Sequence, residues 1–235
     1  MANGRRPGPN CGIKCQTAMI RFASVTKTFP NGKTALKQIS FEIADGEMVG
    51  IVGPSGSGKT TVLRLLINEI IPTEGEINVD DFQVHKLNRR KLPQLRRTIG
   101  SVFQDFKILT DRTVTENVGL ILEILDLPDK EIAEKVAIAL EMVGLPQAGN
   151  LFPAQLSGGE LQRVAIARAM AMNPKILFAD EPTGNLDSAT AKQIAGLLKE
   201  INASGTTVIV ATHDKGVLDF LKPRILQLEA GELIL

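Results

Sequence analysis

The sequence predicts an α/β fold with a largely parallel sheet, and three observations lead to this prediction. From Met19 onward, segments of strand composition alternate with segments that are apolar at helical spacing. Two segments, KILFAD (175–180) and TTVIVAT (206–212), are apolar on both faces, as central parallel strands are. The length of 235 residues, 43% of them hydrophobic, suits one large domain or a core with a small subdomain.

Residues 1–18 differ in composition from the rest of the chain. They are rich in Gly, Pro, Asn and Arg, and they hold no apolar stretch of the secretory type. We predict that they form a disordered tail or are a remnant of expression, and that one domain covers residues 19–235. Cys11 and Cys15 are the two cysteines of the chain. A metal site there is disfavoured because no second Cys or His pair lies nearby.

The first folded elements are predicted in chain order. Two strands, MIRFASVTKTF (19–29) and ALKQISFEI (35–43), flank a Pro-Asn-Gly turn signal. GEMVGIVG (46–53) predicts a short buried strand, and TTVLRLLINEI (60–70) predicts a helix because it is apolar at helical spacing.

The stretch from about 105 to 163 holds no strand pattern. ENVGLILEIL and KEIAEKVAIALEMVG predict two helices, and Gly144 is expected to end the second one. We therefore expect an all-helical insertion in an α/β domain. KILFAD and TTVIVAT then resume the strand pattern.

Charge and composition exclude several classes of protein. The chain has 27 basic and 26 acidic residues and a net charge of +1, which does not indicate a nucleic-acid partner. No apolar run approaches the roughly 18 residues that suggest a membrane span. We therefore expect any membrane role to need a partner. Trp and Tyr are absent, so any stacking on a base would have to come from one of nine Phe residues.

GPSGSGKT (53–60) matches the phosphate-loop pattern G-x-x-x-x-G-K-[ST], follows a predicted strand and opens a predicted helix. Glycines let the backbone curl so that N–H groups point inward, and the helix adds its positive N-terminal end. Lys59 is expected to reach the β- and γ-phosphates, and Thr60 to bind Mg²⁺ through its hydroxyl. The residues predicted to hold a nucleotide here are Gly53, Pro54, Ser55, Gly56, Ser57, Gly58, Lys59, Thr60 and Thr61.

Two acids and a histidine follow the later strands. Asp180 ends KILFAD, which is the usual place of an acid that holds Mg²⁺, and Glu181 comes next, where it could orient or deprotonate the attacking water. His213 follows TTVIVAT and is predicted to contact the γ-phosphate. His85 has no such context and is predicted to be a surface residue.

Six motifs together resemble the ABC-type ATPase cassettes. They are GPSGSGKT (Walker A), Gln104 in SVFQD (Q-loop), LSGGE (family signature), ILFADE (Walker B), GNLD (D-loop) and His213 (switch histidine). The resemblance covers residues 19–235. It implies a P-loop, RecA-like core with an antiparallel β subdomain and a helical insertion, and it implies ATP hydrolysis with Mg²⁺.

The resemblance also implies roles for single residues. Such cassettes act as head-to-tail dimers, so the turn formed by Ser157, Gly158 and Gly159 is expected to face the ATP held by the other subunit. Gln104 is expected to bind Mg²⁺ and to act in catalysis, and Asp187 to lie at the dimer interface. Phe29 stands where cassettes carry an aromatic that stacks on adenine, with a core Phe as the alternative. Arg163 and Arg168 are assigned to structural ion pairs.

Within the cassettes, FQDFKIL followed by DRTV resembles the FtsE family of bacterial cell-division ATPases. This implies a peripheral subunit at the cytoplasmic face of the inner membrane, with the membrane protein FtsX as its partner. The ATPases of lipoprotein-release and macrolide exporters share ADEPTGNLD and remain an alternative. A nucleotide-gated scaffold with negligible turnover is a third reading, against which Glu181 argues.

The segment 104–118 is expected to dock a cytoplasmic helix of the partner. Apolar contact would come from Phe103, Phe106, Ile108 and Leu109, with Asp111 and Arg112 on the rim; ordinary packing within the subdomain is the alternative. The basic cluster Arg89, Arg90, Lys91, Arg96 and Arg97 could touch anionic lipid headgroups. A solvated helix face is the competing reading of that cluster.

Overall fold

The computed structural model describes residues 18–234. Ala18 is the first residue of the first strand, so described structure begins one residue before Met19. The predicted tail, with Cys11 and Cys15, otherwise lies outside the described residues.

Two sheets and a set of helices make up the described chain. The strands are β1 (Ala18–Thr28), β2 (Thr34–Ala44), β3 (Met48–Val52), β4 (Glu74–Val79), β5 (Phe82–Gln83), β6 (Ile99–Val102), β7 (Ile176–Asp180), β8 (Thr207–Ala211), β9 (Arg224–Glu229) and β10 (Glu232–Ile234). The α-helices are α1 (Lys59–Leu66), α2 (Leu92–Thr98), α3 (Val114–Ile124), α4 (Asp129–Met142), α5 (Gly158–Met170), α6 (Ser188–Ala203) and α7 (Lys215–Leu221).

The first sheet is antiparallel and has the strand order β2-β1-β4-β5. The predicted Pro-Asn-Gly turn joins β1 to β2, and the amide of Gly32 donates to the carbonyl of Phe29 at 2.9 Å. Phe22 and Phe41 lie opposite each other on neighbouring strands, and their rings stack with centroids 4.5 Å apart. This hairpin confirms the predicted pair of early strands.

The second sheet is the predicted parallel sheet, with the order β10-β9-β3-β8-β7-β6. Strands β9, β3, β8, β7 and β6 are parallel to their neighbours, and β10 adds an antiparallel edge. Every residue of β7 and β8 is buried, as their apolar composition predicted. The carboxyl ends of β3, β7 and β8 therefore meet at one edge of the sheet.

The parallel sheet separates two hydrophobic cores, and the alternation of side chains along β7 assigns residues to them. Ile176 and Phe178 belong to the core that also contains α1 and the antiparallel sheet. Leu177 and Ala179 belong to the core formed with α3, α4, α5 and α6. Both faces of β7 are thus covered, which accounts for its continuous apolar sequence.

The predicted insertion is helical, and within residues 105–163 the structure has no strand. Thr113 and Glu116 form a capping box at the start of α3, with the Thr113 amide donating to Glu116 at 2.7 Å. After α4, Gly144 has a φ of 72° and its amide donates to the carbonyl of Glu141, so this glycine ends the helix as predicted. The predicted boundary at 163 falls inside α5.

The predicted helix in 60–70 is confirmed as α1, but its predicted end and the predicted exposure of His85 are wrong. The helix predicted for 60–70 ends at Leu66 because Asn68 adopts a left-handed φ of 51° and its side-chain amide donates to the carbonyl of Val84. His85 is not a surface residue, since its side chain is only 10% exposed. Its Nδ1 lies 3.2 Å from the backbone amide of Ile77.

Candidate active site

The phosphate loop connects β3 to α1 at the carboxyl edge of the parallel sheet. A Cβ on Gly53 would lie 2.1 Å from the carbonyl oxygen of Leu228, so no larger residue fits there. Gly58 precedes α1 with a φ of 116°, a conformation that other residues rarely adopt. These two glycines bring the loop against β9 and aim the start of α1 into the cleft.

Lys59 and Thr60 lie at the start of α1. The ammonium of Lys59 donates to the carbonyl of Gly53 at 2.9 Å, which folds the side chain back over its own loop. The Thr60 hydroxyl donates to Oδ2 of Asp180 at 2.8 Å, joining α1 to the end of β7. Burial raises the pKa of Asp180 above its usual value of 3.8, while the hydrogen bond from Thr60 acts in the opposite direction.

The same residues fit a bound Mg²⁺ and nucleotide. Oδ1 of Asp180 and Oγ of Ser57 are buried without a hydrogen-bond partner in the described structure. Each atom is therefore free to interact with a bound ligand or with water. Within residues 18–234, no three His, Cys, Asp or Glu side chains gather into a protein-only metal site. One hydroxyl and one carboxylate suit Mg²⁺, which usually keeps several waters and phosphate oxygens as its other ligands.

A cleft of about 590 Å³ lies over the loop. Phe29 lines it at the end that follows β1, and belongs to neither hydrophobic core of the described chain. Lys59, Thr60, Gln104, Asp180, Glu181 and His213, all predicted from the sequence, line it together with Pro54, Ser55, Gly56, Gly58 and Thr61.

Glu181 occupies an unusual backbone position directly after β7, with a φ of 47°. Its amide donates to the carbonyl of Ala211 at 2.8 Å, which ties the bend to the end of β8. The carboxylate is held by the Thr212 hydroxyl at 3.2 Å and by Nδ1 of His213 at 2.9 Å. The Lys59 ammonium lies 3.5 Å from Oε1 of Glu181. The Glu181 side chain is 13% exposed and faces the cleft, so it can contact a water there.

Gln104 follows β6, is exposed and lines the cleft. The side-chain amide of Asn185 donates to its backbone carbonyl at 3.3 Å. A Cβ on Gly184 would meet the side-chain amide nitrogen of Gln104 at 3.4 Å, so the two loops are in contact. The structure therefore places Gln104 beside the turn that follows Glu181.

Ser157, Gly158 and Gly159 form the signature turn at the N-terminus of α5, and none of them lines the cleft. The Ser157 hydroxyl donates to Glu160 at 2.6 Å, and this hydrogen bond holds the pKa of Glu160 below its usual value. Ser157 and Gly158 are exposed, so the turn presents the first amides of α5 outward.

Asp187 begins α6 beside the signature turn. It accepts hydrogen bonds from the amides of Ala189 and Thr190 and from the Thr190 hydroxyl at 2.6 Å. A Cβ on Gly159 would lie 2.5 Å from Cγ2 of Thr190, so the turn and α6 are in close contact. Asp187 thus fixes Thr190, the residue against which the signature turn packs.

The sequence prediction missed several residues of the site. Thr212, Lys33, Ala35 and Arg64 were not predicted, although the last three line the cleft. Thr212 could have been found, since it follows the buried strand β8 and directly precedes His213. Lys33 and Arg64 carried no signal, because only the packing of the hairpin and α1 around the loop brings them there.

The assignment of Arg163 and Arg168 to ion pairs is wrong. Neither has a carboxylate within 4.0 Å in the described part of the chain. Arg163 donates to the carbonyl of Val143 at 2.9 Å. Arg168 donates to the carbonyls of Phe106 and Lys107 at 2.8 and 2.6 Å, just after Gln104.

The predicted docking segment divides into two parts. Phe106 and Ile108 pack against the helical core. For these two residues the structure thus agrees with the alternative prediction, ordinary packing within the subdomain. Leu109 is 40% exposed. Phe103 lines a groove of about 350 Å³, which we call the docking groove. The groove is lined by Arg96, Arg97, Ile99, Gly100, Ser101, Phe103, Lys107, Leu120, Ile121, Ile124, Arg168, Ala169, Met172 and Pro174.

Comparison with known proteins assigns the chain to a family and identifies similar sequences. A model of the ABC transporter family matches residues 36–184. The cell division ATP-binding protein FtsE of Mycobacterium tuberculosis is 46% identical over 217 residues, which are 92% of this chain and 94% of that protein. FtsE of Bacillus subtilis is 44% identical over 216 residues, 92% of this chain and 95% of that protein.

A solved structure adds a comparison in three dimensions. It is a dimeric ATP-binding cassette in a post-hydrolysis state with bound ADP and Pi. The similarity has a TM-score of 0.82 at 42% sequence identity, and it covers 92% of this chain and 96% of that one. Between residues 18 and 234, no helix is both long enough and apolar enough to cross a bilayer.

Proposed function

Because this chain belongs to the ABC transporter family, we propose that it is the ATP-hydrolysing subunit of an FtsE–FtsX type complex in bacterial cell division. ABC ATPases bind ATP with Mg²⁺ and hydrolyse it to ADP and phosphate, and this chain is such an ATPase. The identity of 46% to a cell division ATP-binding protein over 92% of the chain supports the cell-division role. The predicted family, fold class and cofactors are thereby confirmed.

The single observation that carries the hydrolytic role is the fixed carboxylate of Glu181. Thr212 and His213 hold it by hydrogen bonds, and it faces the cleft above the phosphate loop. In this position Glu181 accepts a hydrogen bond from the attacking water and takes its proton as the water oxygen bonds to the γ-phosphorus and the bond to the bridging oxygen breaks, so that ADP leaves with that oxygen. His213 keeps the carboxylate oriented and contacts the γ-phosphate.

The phosphate loop binds and orients ATP. The backbone N–H groups of residues 55–61, at the loop and the N-terminus of α1, receive the phosphates, and Lys59 turns from its own loop carbonyl toward the β- and γ-phosphates. Thr60, Asp180 and Gln104 would hold Mg²⁺. The ion, when bound, neutralises negative charge on the phosphate oxygens. Phe29, which lines the cleft, receives the adenine ring.

Two copies of the chain complete each reaction centre in this proposal. The signature turn does not line the cleft of its own chain and points the amides of α5 outward, which suits it to an anion outside the protomer. The related cassette of known structure is a dimer. We therefore place Ser157, Gly158 and Gly159 on the ATP of the second copy, with Asp187 at the interface.

The membrane partner is proposed to be an FtsX-like protein whose cytoplasmic segment lies in the docking groove. The groove is apolar at Phe103, Ile121, Ile124 and Met172. Phe103 is followed in the chain by Gln104, which lines the cleft. Ile124 is 69% exposed and offers a contact for an apolar side chain. In this proposal the chain lies at the cytoplasmic face of the bacterial inner membrane and is held there through its partner.

Co-purification from membranes tests the proposed partner. We expect the tagged chain to retain the FtsX-like protein encoded in the same genome. Ile124→Asp should weaken this capture, since it places a charge in the docking groove. Ile138→Asp is the matched control, because Ile138 is 66% exposed on α4, outside the groove. Recovery of a lipoprotein-release or macrolide-exporter permease instead would contradict the cell-division role and support that alternative.

A further inference from the structure

A basic segment of residues 86–97 stands apart from the otherwise balanced charge of the chain. It carries six basic side chains, Lys86, Arg89, Arg90, Lys91, Arg96 and Arg97. From residue 82 to residue 104 the sequence contains neither Asp nor Glu. Because the net charge of the whole chain is only +1, the rest of the chain is net negative.

The fold presents these charges outward on an anchored element. Asn88 caps the short 3₁₀ turn of Arg89–Lys91, accepting from the amide of Arg90 at 3.1 Å. Leu95 on α2 is fully buried and fixes the segment to the core. All six basic residues are exposed. The segment is therefore a structured face and not a loose tail.

The positive charges are largely uncompensated. Lys86 lies 3.7 Å from Glu76, but none of the other five makes an ion pair with any residue that the structure describes. Arg96 donates only to the backbone carbonyl of Ile67, at 3.1 Å. Like charges this close repel each other, so an external anionic surface would stabilise the arrangement.

The position of the segment selects the kind of anionic surface. Arg96 and Arg97 line the docking groove together with the exposed Ile124. A membrane partner seated in that groove would bring the basic segment beside the bilayer. A polynucleotide is less suited, because the segment between residues 86 and 97 holds no aromatic side chain for base stacking.

We propose that the basic segment binds the anionic headgroups of the cytoplasmic leaflet directly, beside the docked partner. Lysine and arginine near such a surface each raise the membrane affinity by about fivefold, and the effect weakens with salt. The segment would thus orient the docking groove toward the bilayer. The placement rests on the proposed function, but the lipid binding is testable without the partner.

Vesicle sedimentation of the full-length chain tests this inference. The probes are vesicles of phosphatidylcholine with and without phosphatidylglycerol. We expect binding only to the anionic vesicles, with loss at high salt. Replacing Arg89, Arg90 and Lys91 by Gln should lower the affinity by about a hundredfold. The control replaces the exposed Lys130, Lys192 and Lys199 by Gln, an equal loss of charge, and should retain the affinity.

Three results would overturn the inference. They are equal binding to neutral vesicles, an equal loss of affinity in the control variant, and absence of binding to anionic vesicles at low salt. If single-stranded DNA binds and anionic vesicles do not, the segment is a nucleic-acid surface. Since capture of the membrane partner is measured separately, failure here leaves the proposed function standing.

Discussion

Nδ1 of His213 lies 2.9 Å from Oε1 of Glu181, and this contact joins the ends of the two central strands β7 and β8. Glu181 is 13% exposed whereas the His213 side chain is 72% exposed. The carboxylate is therefore held inside the cleft by a residue that remains free to meet a ligand. The contact therefore fits Glu181 as the group that takes the proton from water and His213 as the group that orients it and contacts the γ-phosphate.

Glu181→Gln should slow turnover strongly and keep ATP binding. The amide preserves the shape and the contact with Thr212 but cannot take a proton from water, so kcat should fall by about a hundredfold to ten-thousandfold. Lys59→Ala should instead lower the affinity for ATP itself. Phosphate release and nucleotide binding, measured on the same samples, separate the two effects. Turnover of the Gln variant at the native rate would remove Glu181 from catalysis.

Gly159→Ala should disrupt the signature turn, because the new methyl carbon would lie 2.5 Å from Cγ2 of Thr190. We expect a loss of about 1–3 kcal/mol in the free energy of unfolding, with a lower ATPase rate. Adding Thr190→Ser removes that Cγ2 and keeps the hydroxyl for Asp187, so the double variant should recover stability. Gly158→Ala is the control for stability alone, since its Cβ would lie 3.5 Å from Cδ2 of Leu186, an ordinary contact. Failure of the double variant to recover would show that packing against Thr190 is not the cause.

Arg168→Met should slow hydrolysis more than it weakens ATP binding. The change removes the two hydrogen bonds to Phe106 and Lys107, whose φ angles of 56° and 50° are both left-handed. The segment after Gln104 should loosen, and misplacement of Gln104 can lower kcat by up to about a hundredfold. Arg163→Met is the control on the same helix, because Arg163 bonds to Val143 away from Gln104. Equal kcat losses in both variants, without faster hydrogen exchange in 104–108, would contradict this role.

Ser157→Ala should lower stability in a pH-dependent way. In the folded chain the Ser157 hydroxyl keeps the pKa of Glu160 below its usual 4.5. The stabilisation is therefore fully present above that value and is lost as the pH falls through the lowered pKa. Urea unfolding at a series of pH values should show a larger difference from the native chain at neutral pH than in acid, where only the bond from the Glu160 amide to the Ser157 hydroxyl remains to be lost. A difference that stays constant with pH would mean that Glu160 is not involved.

Much of the site was predictable because its residues lie next to one another in sequence or directly follow buried strands. The phosphate loop, Asp180, Glu181 and His213 were found in this way, and the carboxyl edge of the parallel sheet brings them together. The apolar composition of β7 and β8 predicted their central position. These features depend on short sequence motifs and on the rule that the carboxyl ends of parallel strands meet at one edge of the sheet.

Other features were not predictable because they depend on contacts between distant segments. The early end of α1 follows from Asn68 bonding to Val84, and the burial of His85 follows from its contact with Ile77 on β4. Arg168 looked like a partner for an acid, yet backbone carbonyls 61 and 62 residues earlier satisfy it. No spacing rule in the sequence encodes these pairings.

Mixing two inactive variants tests the two-chain reaction centre most directly. Glu181→Gln keeps an intact signature turn, and Gly158→Asp keeps an intact catalytic acid while placing a carboxylate on the exposed face of the turn. Each should be nearly inactive alone. If the centre is built in trans, the equimolar mixture should regain about a quarter of the native ATPase rate, because mixed dimers hold one intact site. A mixture as inactive as its components, or full activity of Gly158→Asp alone, would contradict the account.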